Sequence, residues 1–360
     1  PTEEEEAKLP WVGDVEWPSP GEPLPPEMKS AIEAHVEANR ETIQLLREGA
    51  SRERCRYPID LEEGITAELP PLGNMRASTS LLSLATCLNA GEGRADAAAK
   101  TLEAAFALAD SFAQIPNMIC QLVRMAAQSI ALDGLEHALN CAAIPDSHLV
   151  RLQYLLGEAA SRTQTLERGI AGETVTMFYA IRRLDEIRPG QLAWAMRIKK
   201  AAALTETDAV YYLDVMEQYL AAQQKPFPRR IEICRRVDSS VGKAFDRRLW
   251  RWIHPFAAYI LPTGVHHMVL REAETTARMH LGLVALATER FRIDNGRLPA
   301  NLSELVPTYI EEVPADPFDG QPLRYRVEPP GYLLYSIGRN EADDGGTETE
   351  DEETGDIVFR

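Results

Sequence analysis

The chain has 360 residues and a formal net charge of −17 at pH 7, and 45% of its residues are hydrophobic. A chain of this length and apolar content can bury a sizeable core in two or three domains. The negative charge argues against nucleic acid or anionic lipid as the main partner, because phosphate binding needs clustered Lys and Arg side chains. No run approaches the roughly 18 consecutive apolar residues that span a bilayer.

Residues 1–26 form an acidic, proline-rich segment. Prolines at this density prevent a helix, so the segment is predicted to be extended, with Trp11 and Trp17 packed on the body of the protein. A first helix is predicted to begin at Pro26-Glu27 and to stop before Gly49. Its apolar side is predicted to comprise Ala31, Ile32, Val36, Ile43, Leu45 and Leu46.

A long connector follows, from Arg54 to Pro71. Loops of this length are often binding elements. The alternative, which its apolar residues favour, is a loop that simply wraps the helices through Tyr57 and Ile59.

Helical periodicity dominates residues 75–260. Apolar residues recur at three- and four-residue steps, with breaks at residues 91–93 and at Ile115-Pro116. The helix lengths are similar to those of tetratricopeptide arrays, but no dependable 34-residue self-match is present. We therefore predict a mainly α fold in which residues 27–262 form an irregular antiparallel α-helical stack, and Trp250 and Trp252 seal its join to the last domain.

The pattern changes after residue 262. A long amphipathic helix is predicted from Thr263 to about Asp294, and two alternating runs, Leu323–Val327 and Tyr332–Ser336, are predicted to pair as antiparallel strands. Residues 357–359 would supply a third strand. Residues 263–360 are thus predicted to be a small α+β domain, a long helix with a short antiparallel sheet and an acidic loop.

Three blocks of this domain resemble the C-terminal domain of the major pseudopilin of type II secretion systems, the general secretion pathway protein G type. The blocks are Phe291–Pro299, Tyr309-Ile310 with Pro314–Phe318, and Tyr335–Asn340. In that family a membrane helix precedes the soluble part. Because this sequence starts at Pro1 without Met, the resemblance implies an extracytoplasmic protein, in the bacterial periplasm or envelope, with a membrane anchor in its full-length form.

The resemblance also implies a structural calcium ion (Ca²⁺) in the last loop. The ligands that it implies are the main-chain carbonyl of Ile337, the side chain of Asn340, a carboxylate from Asp343 or Asp344, and Asp356. Calcium takes roughly six to eight oxygen ligands, which such a loop can supply. Asn340 and Gly355 stand where the family usually has acids. The alternative is a solvated acidic segment, which is what blocks of like charge usually are.

Other residues of metal and redox chemistry give weaker patterns. The five cysteines are not spaced as in zinc sites and are expected to be buried in helices for the most part; they are Cys55, Cys87, Cys120, Cys141 and Cys234. An oxidising compartment would allow one disulfide among the first four. On the long helix, no two of His266, His267 and His280 are four residues apart, so a transition-metal site is not predicted.

No nucleophile elbow and no glycine-rich phosphate loop is present. We therefore expect a non-enzymatic extracytoplasmic scaffold or binding protein, whose grooved helical face binds a protein, a peptide or an envelope polymer. One alternative is an extracytoplasmic hydrolase, with acids and a histidine converging in a cleft between the helical stack and the C-terminal domain. Another is a component of a secretion system. The sequence leaves the oligomeric state open.

Overall fold

The computed structural model describes residues 7–13, 15–18, 24–52, 54–162, 164–182, 204–247, 264–349 and 354–360. These residues contain ten α-helices and one three-stranded sheet, so the mainly α fold with a small sheet is confirmed. The helices are α1 Pro26–Ala38, α2 Arg40–Ala50, α3 Leu72–Gly91, α4 Ala95–Asp110, α5 Met118–Cys141, α6 Asp146–Ser161, α7 Thr165–Arg182, α8 Leu204–Gln223, α9 Arg229–Phe245 and α10 Val265–Asn295. Trp250 and Trp252 lie outside the described residues.

The segment before α1 packs on the helices through its apolar residues. Leu9 is fully buried, and the Trp11 and Trp17 ring centroids are 4.9 Å apart. The indole N–H of Trp11 donates to Asp133 on α5 at 3.2 Å, and the ring of Trp17 lies 4.8 Å from that of His137. The two tryptophans therefore hold this segment against α5.

The first predicted helix is in fact two helices, so that prediction is wrong in one respect. Asn39 separates α1 from α2 with φ −108° and ψ 19°, and its amide donates to the carbonyl of His35 at 2.9 Å. This side-chain bond caps α1, and α2 starts at the next residue, Arg40. Ile43 and Leu46 consequently pack on the first core, whereas Leu45 is 60% exposed.

Two hydrophobic cores organise the described helices, and α10 contributes to both. The first core joins α3, α4, α5 and α6 to α10 and to the sheet. The second joins α5, α7, α8 and α9 to α10. Gly282 allows α10 to approach α6, because a β-carbon there would lie 2.9 Å from Cδ2 of Leu156. The sequence-based division at residue 262 stays a prediction, but the two predicted parts share their cores.

The sheet lies on α10 near its C-terminal half. Its strands are β1 Arg324–Glu328, β2 Gly331–Ser336 and β3 Ile357–Phe359, and they are antiparallel in the order β1-β2-β3. Leu334 pairs with Phe359, and both belong to the first core. Leu333, Tyr335 and Val358 form a small separate cluster, as expected for the alternate residues of strands. The sheet therefore has two apolar faces.

Among the described helices, none is long and apolar enough to cross a membrane. All five cysteines are free thiols. Cys55 and Cys141 are exposed, and the other three are buried. The structure thus contains none of the disulfides that an oxidising compartment would allow.

Candidate functional site

The acidic loop after β2 covers the second face of the sheet. Gly346 is buried, and a β-carbon on it would lie 2.4 Å from Cδ2 of Leu333 and 3.2 Å from Cδ1 of Tyr335. The guanidinium of Arg326 on β1 donates to the carbonyl of Gly345 at 2.7 Å. The loop is therefore anchored on the sheet at Gly345 and Gly346, while most of its other residues are exposed.

Three of the residues predicted to bind calcium meet in this loop. The amide of Asn340 donates to a carboxylate oxygen of Asp344 at 2.7 Å. The main-chain N–H of Asp344 donates in turn to Asp356 at 3.4 Å, and that of Gly346 donates to the other oxygen of Asp356 at 2.6 Å. Asp356 is 5% exposed and immediately precedes β3. Its carboxylate joins the returning chain to the first half of the loop.

The other two predicted ligands take different positions. Asp343 accepts from the N–H of Gly345 at 3.0 Å, and its second oxygen lies 3.9 Å from Nε of Arg324 on β1. Ile337 is buried, and its N–H donates to Asp316 at 3.0 Å. Asp343 thus bonds within the loop and lies toward Arg324, and the bond of Ile337 is made by its N–H, not by the carbonyl that was predicted to bind calcium.

The electrostatics of the loop suit a cation. Burial raises the pKa of Asp356 above its ordinary value, the N–H groups of Gly346 and Asp344 oppose this rise, and the charges of Asp343 and Asp344 add to it. The side-chain atoms of these residues that can ligate a metal are all oxygens, and calcium prefers oxygen ligands. Within the described residues, no group of three or more His, Cys, Asp or Glu side chains is arranged to hold a metal ion. The Asn340 amide oxygen accepts from the N–H of Ala342 at 3.1 Å, and the calcium site stays a prediction.

Gly338 makes the loop geometry possible at the point where β2 ends. Its φ is +68°, in the left-handed region, and a β-carbon there would lie 2.5 Å from the carbonyl oxygen of Gly355. Only glycine meets both conditions without strain. The Gly338 backbone thus lets the two ends of the loop come together beside Asp356.

Sequence reasoning missed Asp316, which forms the most extensively bonded carboxylate beneath this loop. Asp316 is 1% exposed. One of its oxygens accepts from the N–H of Phe318 at 3.0 Å and from the hydroxyl of Ser336 at 2.9 Å. The other accepts from the N–H of Ile337 at 3.0 Å and from Arg324 at 2.7 Å. Its only sequence signal was the block Pro314–Phe318, which the resemblance singled out without giving Asp316 a role.

A second candidate site is a groove on the helical part, between α2, α4, α6 and the connector after α2. It consists of two adjoining cavities of about 680 and 820 Å³ that share Ala50, Ala107, Arg151 and Leu155. The connector closes one end, where Tyr57 packs edge-on against Phe112 at 5.0 Å and its hydroxyl lies 3.1 Å from that of Ser111. The long connector therefore both wraps the helices and forms a wall of the groove.

The groove is basic although the chain is acidic. Its lining contains seven basic and four acidic side chains. The basic ones are Arg47, Arg52, Arg54, Arg56, Lys100, Arg151 and Arg162, and the acidic ones are Glu48, Glu103, Asp110 and Glu158. Large apolar groups are exposed beside them, since Leu45 is 60% and Tyr154 57% exposed. Arg and Tyr side chains of this kind are enriched where proteins bind one another.

Two histidines of α10, His266 and His280, lie within hydrogen-bond distance of neighbouring polar groups. The Arg235 Nε–H donates to His266 Nε2 at 3.3 Å, and burial lowers the pKa of His266. His280 Nδ1 lies 3.0 Å from the carbonyl of Ala315, so this nitrogen carries the proton, and burial lowers the pKa of the ring. His280 is therefore mostly neutral at pH 7.

A scan against protein-family models, a search of curated proteins and a search of solved structures found no match to this chain.

Proposed function

We propose that the chain is a non-enzymatic, extracytoplasmic binding protein. In this proposal the groove between α2, α4 and α6 holds an extended acidic peptide segment of a partner protein. The C-terminal sheet acts as a pseudopilin-like cap whose acidic loop is stiffened by calcium. The observation that carries the proposal is the excess of basic side chains in the groove of a chain whose net charge is −17.

The ligand class follows from the chemistry of the groove walls. Guanidinium groups recognise carboxylates through paired hydrogen bonds. The exposed Leu45 and Tyr154 side chains add apolar surface for a ligand with alternating acidic and apolar residues. The Arg151 guanidinium lies 5.5 Å from the centroid of the Tyr154 ring, so this arginine is held over the groove wall. An acidic peptide uses both kinds of surface, whereas a uniformly charged polymer uses only one.

Direct binding to a defined probe tests this. A short fluorescein-labelled peptide of alternating glutamate and leucine should bind saturably by fluorescence anisotropy, and added salt should weaken it. The double variant Arg54→Gln/Arg56→Gln should lower the affinity by roughly thirtyfold, because each of the two lost charge-assisted hydrogen bonds contributes on the order of 1 kcal/mol.

The matched control removes the same charge elsewhere. Arg229 and Arg236 lie on the exposed side of α9, where both bond to Glu232. Arg229→Gln/Arg236→Gln should leave the peptide affinity within about twofold of the wild type. Equal losses in both double variants would show non-specific attraction and refute the groove. Binding of polygalacturonate in place of the peptide would identify an anionic envelope polymer as the ligand.

The hydrolase alternative is less well supported. Glu272 and His280 do line one cavity, together with Asp316. Glu272 accepts from Arg230 at 2.8 Å, however, and Asp316 accepts from Arg324 at 2.7 Å. Burial raises the pKa of Glu272, but both carboxylates are occupied by arginines and are not free to accept a proton from a substrate.

A further inference from the structure

A second, internal cavity lies where the helical part meets the C-terminal domain. Its volume is about 260 Å³, and it is bounded by α5, the starts of α7 and α9, the middle of α10, and residues 315–317. Most of its wall is apolar and includes Met125, Phe227 and Met279. The exposed residues Arg162 and Pro226 lie at its edge, so it has a route to solvent.

Two buried side chains in this wall have polar atoms without a hydrogen-bond partner within the described protein. Gln128 is 2% exposed, and neither its amide nitrogen nor its amide oxygen has a hydrogen bond. Arg124 is 3% exposed; its Nη atoms donate to Thr165 at 3.3 Å and to Asp110 at 3.1 Å, but its Nε–H has no acceptor. Leaving such groups unpaired in a protein interior is destabilising. The wall therefore offers a bound molecule two hydrogen-bond donors, the Arg124 Nε–H and the Gln128 amide nitrogen, and one acceptor, the Gln128 amide oxygen.

The guanidinium of Arg124 shares its carboxylate with a second arginine. Arg124 and Arg162 both bond to Asp110, at 3.1 and 3.3 Å. Arg230 is paired with Glu272 at 2.8 Å, and Asp316 is paired with Arg324, which also bonds to Asp319. The charges beside the cavity are thus paired, but the Nε–H of Arg124 is left as a charged donor that a carboxylate in the cavity would accept.

We propose that this cavity binds the carboxylate of a small N-acylated amino acid. The carboxylate accepts from Arg124 and from the Gln128 amide nitrogen, the N–H of the acylated amine donates to the Gln128 amide oxygen, and a short apolar side chain contacts Met125 and Met279. Such a group is either a free molecule or the C-terminal residue of a peptide. The proposal does not depend on the groove, because the two sites share only the exposed Arg162.

The size of the cavity limits the occupant. A volume of 260 Å³ would hold roughly eight water molecules at the density of liquid water. Drug-sized ligands occupy pockets of roughly 300 Å³ or more, so a smaller molecule is expected here. Water is the competing occupant, since it can also bond to Gln128 and Arg124.

N-acetyl-L-alanine is a suitable probe. In the whole protein, its titration should saturate by calorimetry and should shift the side-chain NH₂ resonances of Gln128 in ¹⁵N-correlated NMR spectra. N-acetyl-L-alanine methylamide, which lacks the carboxylate, should bind about tenfold more weakly. Tetra-alanine separates the two sources of the group: comparable binding identifies a peptide C-terminus, and weaker binding identifies a free acylated amino acid.

Two glutamine variants on the same helix distinguish a ligand site from a structural role. Gln128→Met keeps the side-chain shape and removes both unpaired groups, so it should lower the affinity by about tenfold or more while folding is retained. Gln121 donates to the carbonyls of Phe112 and Ile115 at 3.0 and 2.8 Å. Gln121→Met should therefore destabilise the protein yet leave the affinity within about twofold. Absence of any Gln128 resonance shift, or equal binding by Gln128→Met, would overturn the proposal in favour of a water-filled cavity.

Discussion

Asp316 and Gln128 are buried to nearly the same extent, at 1% and 2% exposure, and both line the internal cavity, but their hydrogen bonding differs. Asp316 accepts four hydrogen bonds from three parts of the C-terminal domain. Gln128, on the wall of the internal cavity, has none within the described protein. Burial alone therefore does not distinguish a structural polar group from a binding group. The hydrogen-bond partners distinguish them, because a buried amide without a partner in the protein is expected to bond to a water molecule or a ligand beside it.

The largest expected effect is the loss of the Asp316 carboxylate. Asp316→Ala leaves the hydroxyl of Ser336 and the N–H of Ile337 without an acceptor and removes the buried partner of Arg324. We expect the free energy of unfolding to fall by about 3 kcal/mol, measured by urea denaturation. Asp319→Ala is the control. Asp319 bonds to the same arginine but is 25% exposed, and its loss should cost about 1 kcal/mol.

Glu136 on α5 is intermediate between Asp316 and Gln128. Within the described residues, one main-chain group bonds to its carboxylate: the N–H of Arg360 donates to it at 2.7 Å. Burial raises its pKa to about 7 from 4.5. Because the folded state holds this proton more tightly than the unfolded state, the contribution of Glu136 to stability is fully present below pH 4.5 and is lost as the pH rises through 7. Glu136→Gln should remove this dependence and raise stability at pH 8 by about 2 kcal/mol.

Thermal unfolding of both proteins at pH 5 and pH 8 measures the effect. The wild type should lose more stability between these pH values than Glu136→Gln does. Parallel pH profiles would mean that the contact with Arg360 fully compensates the burial of the Glu136 carboxylate, and Glu136 would then resemble Asp316.

Calcium binding to the acidic loop is expected to give the smallest change in the free energy of unfolding. If calcium binds beside Asp356, a concentration of about ten times the dissociation constant should stabilise the protein by roughly 1 kcal/mol. Differential scanning calorimetry with calcium or with a chelator would detect this as a change in Tm. Asp343→Ala and Asp356→Ala should each lose the response. Calorimetric titration of the wild type that releases no heat would refute the calcium site.

The elements that could be predicted from the sequence are those with local signals. The strands of the C-terminal sheet and the long helix α10 follow from alternation and from three- and four-residue periodicity, and the structure places them within two residues of the expected bounds. The break at Asn39 could not be predicted, because asparagine is tolerated in helices and its capping bond depends on the backbone around it. For the acidic loop, the sequence identified the residues but not that Asp343 lies toward Arg324.

The internal cavity was missed for a physical reason. Its polar residues come from different helices, with Gln128 on α5, Arg230 on α9 and Glu272 on α10, so no local spacing joins them. One signal was available in the sequence. Gln121, Arg124 and Gln128 recur at three- and four-residue steps among the buried residues of α5. Three polar residues facing inward on one helix indicate a polar interior, although they do not show what lies opposite.

The presence of α10 in both cores has a consequence for dissecting the chain. A cut between residues 248 and 263 would leave α10 and the sheet on one fragment and the other helices on the second. Each fragment would then expose the apolar surface that the other normally covers, including Leu132, Leu156 and Val284. The fragments should aggregate when they are produced separately and reconstitute a soluble particle when they are co-expressed.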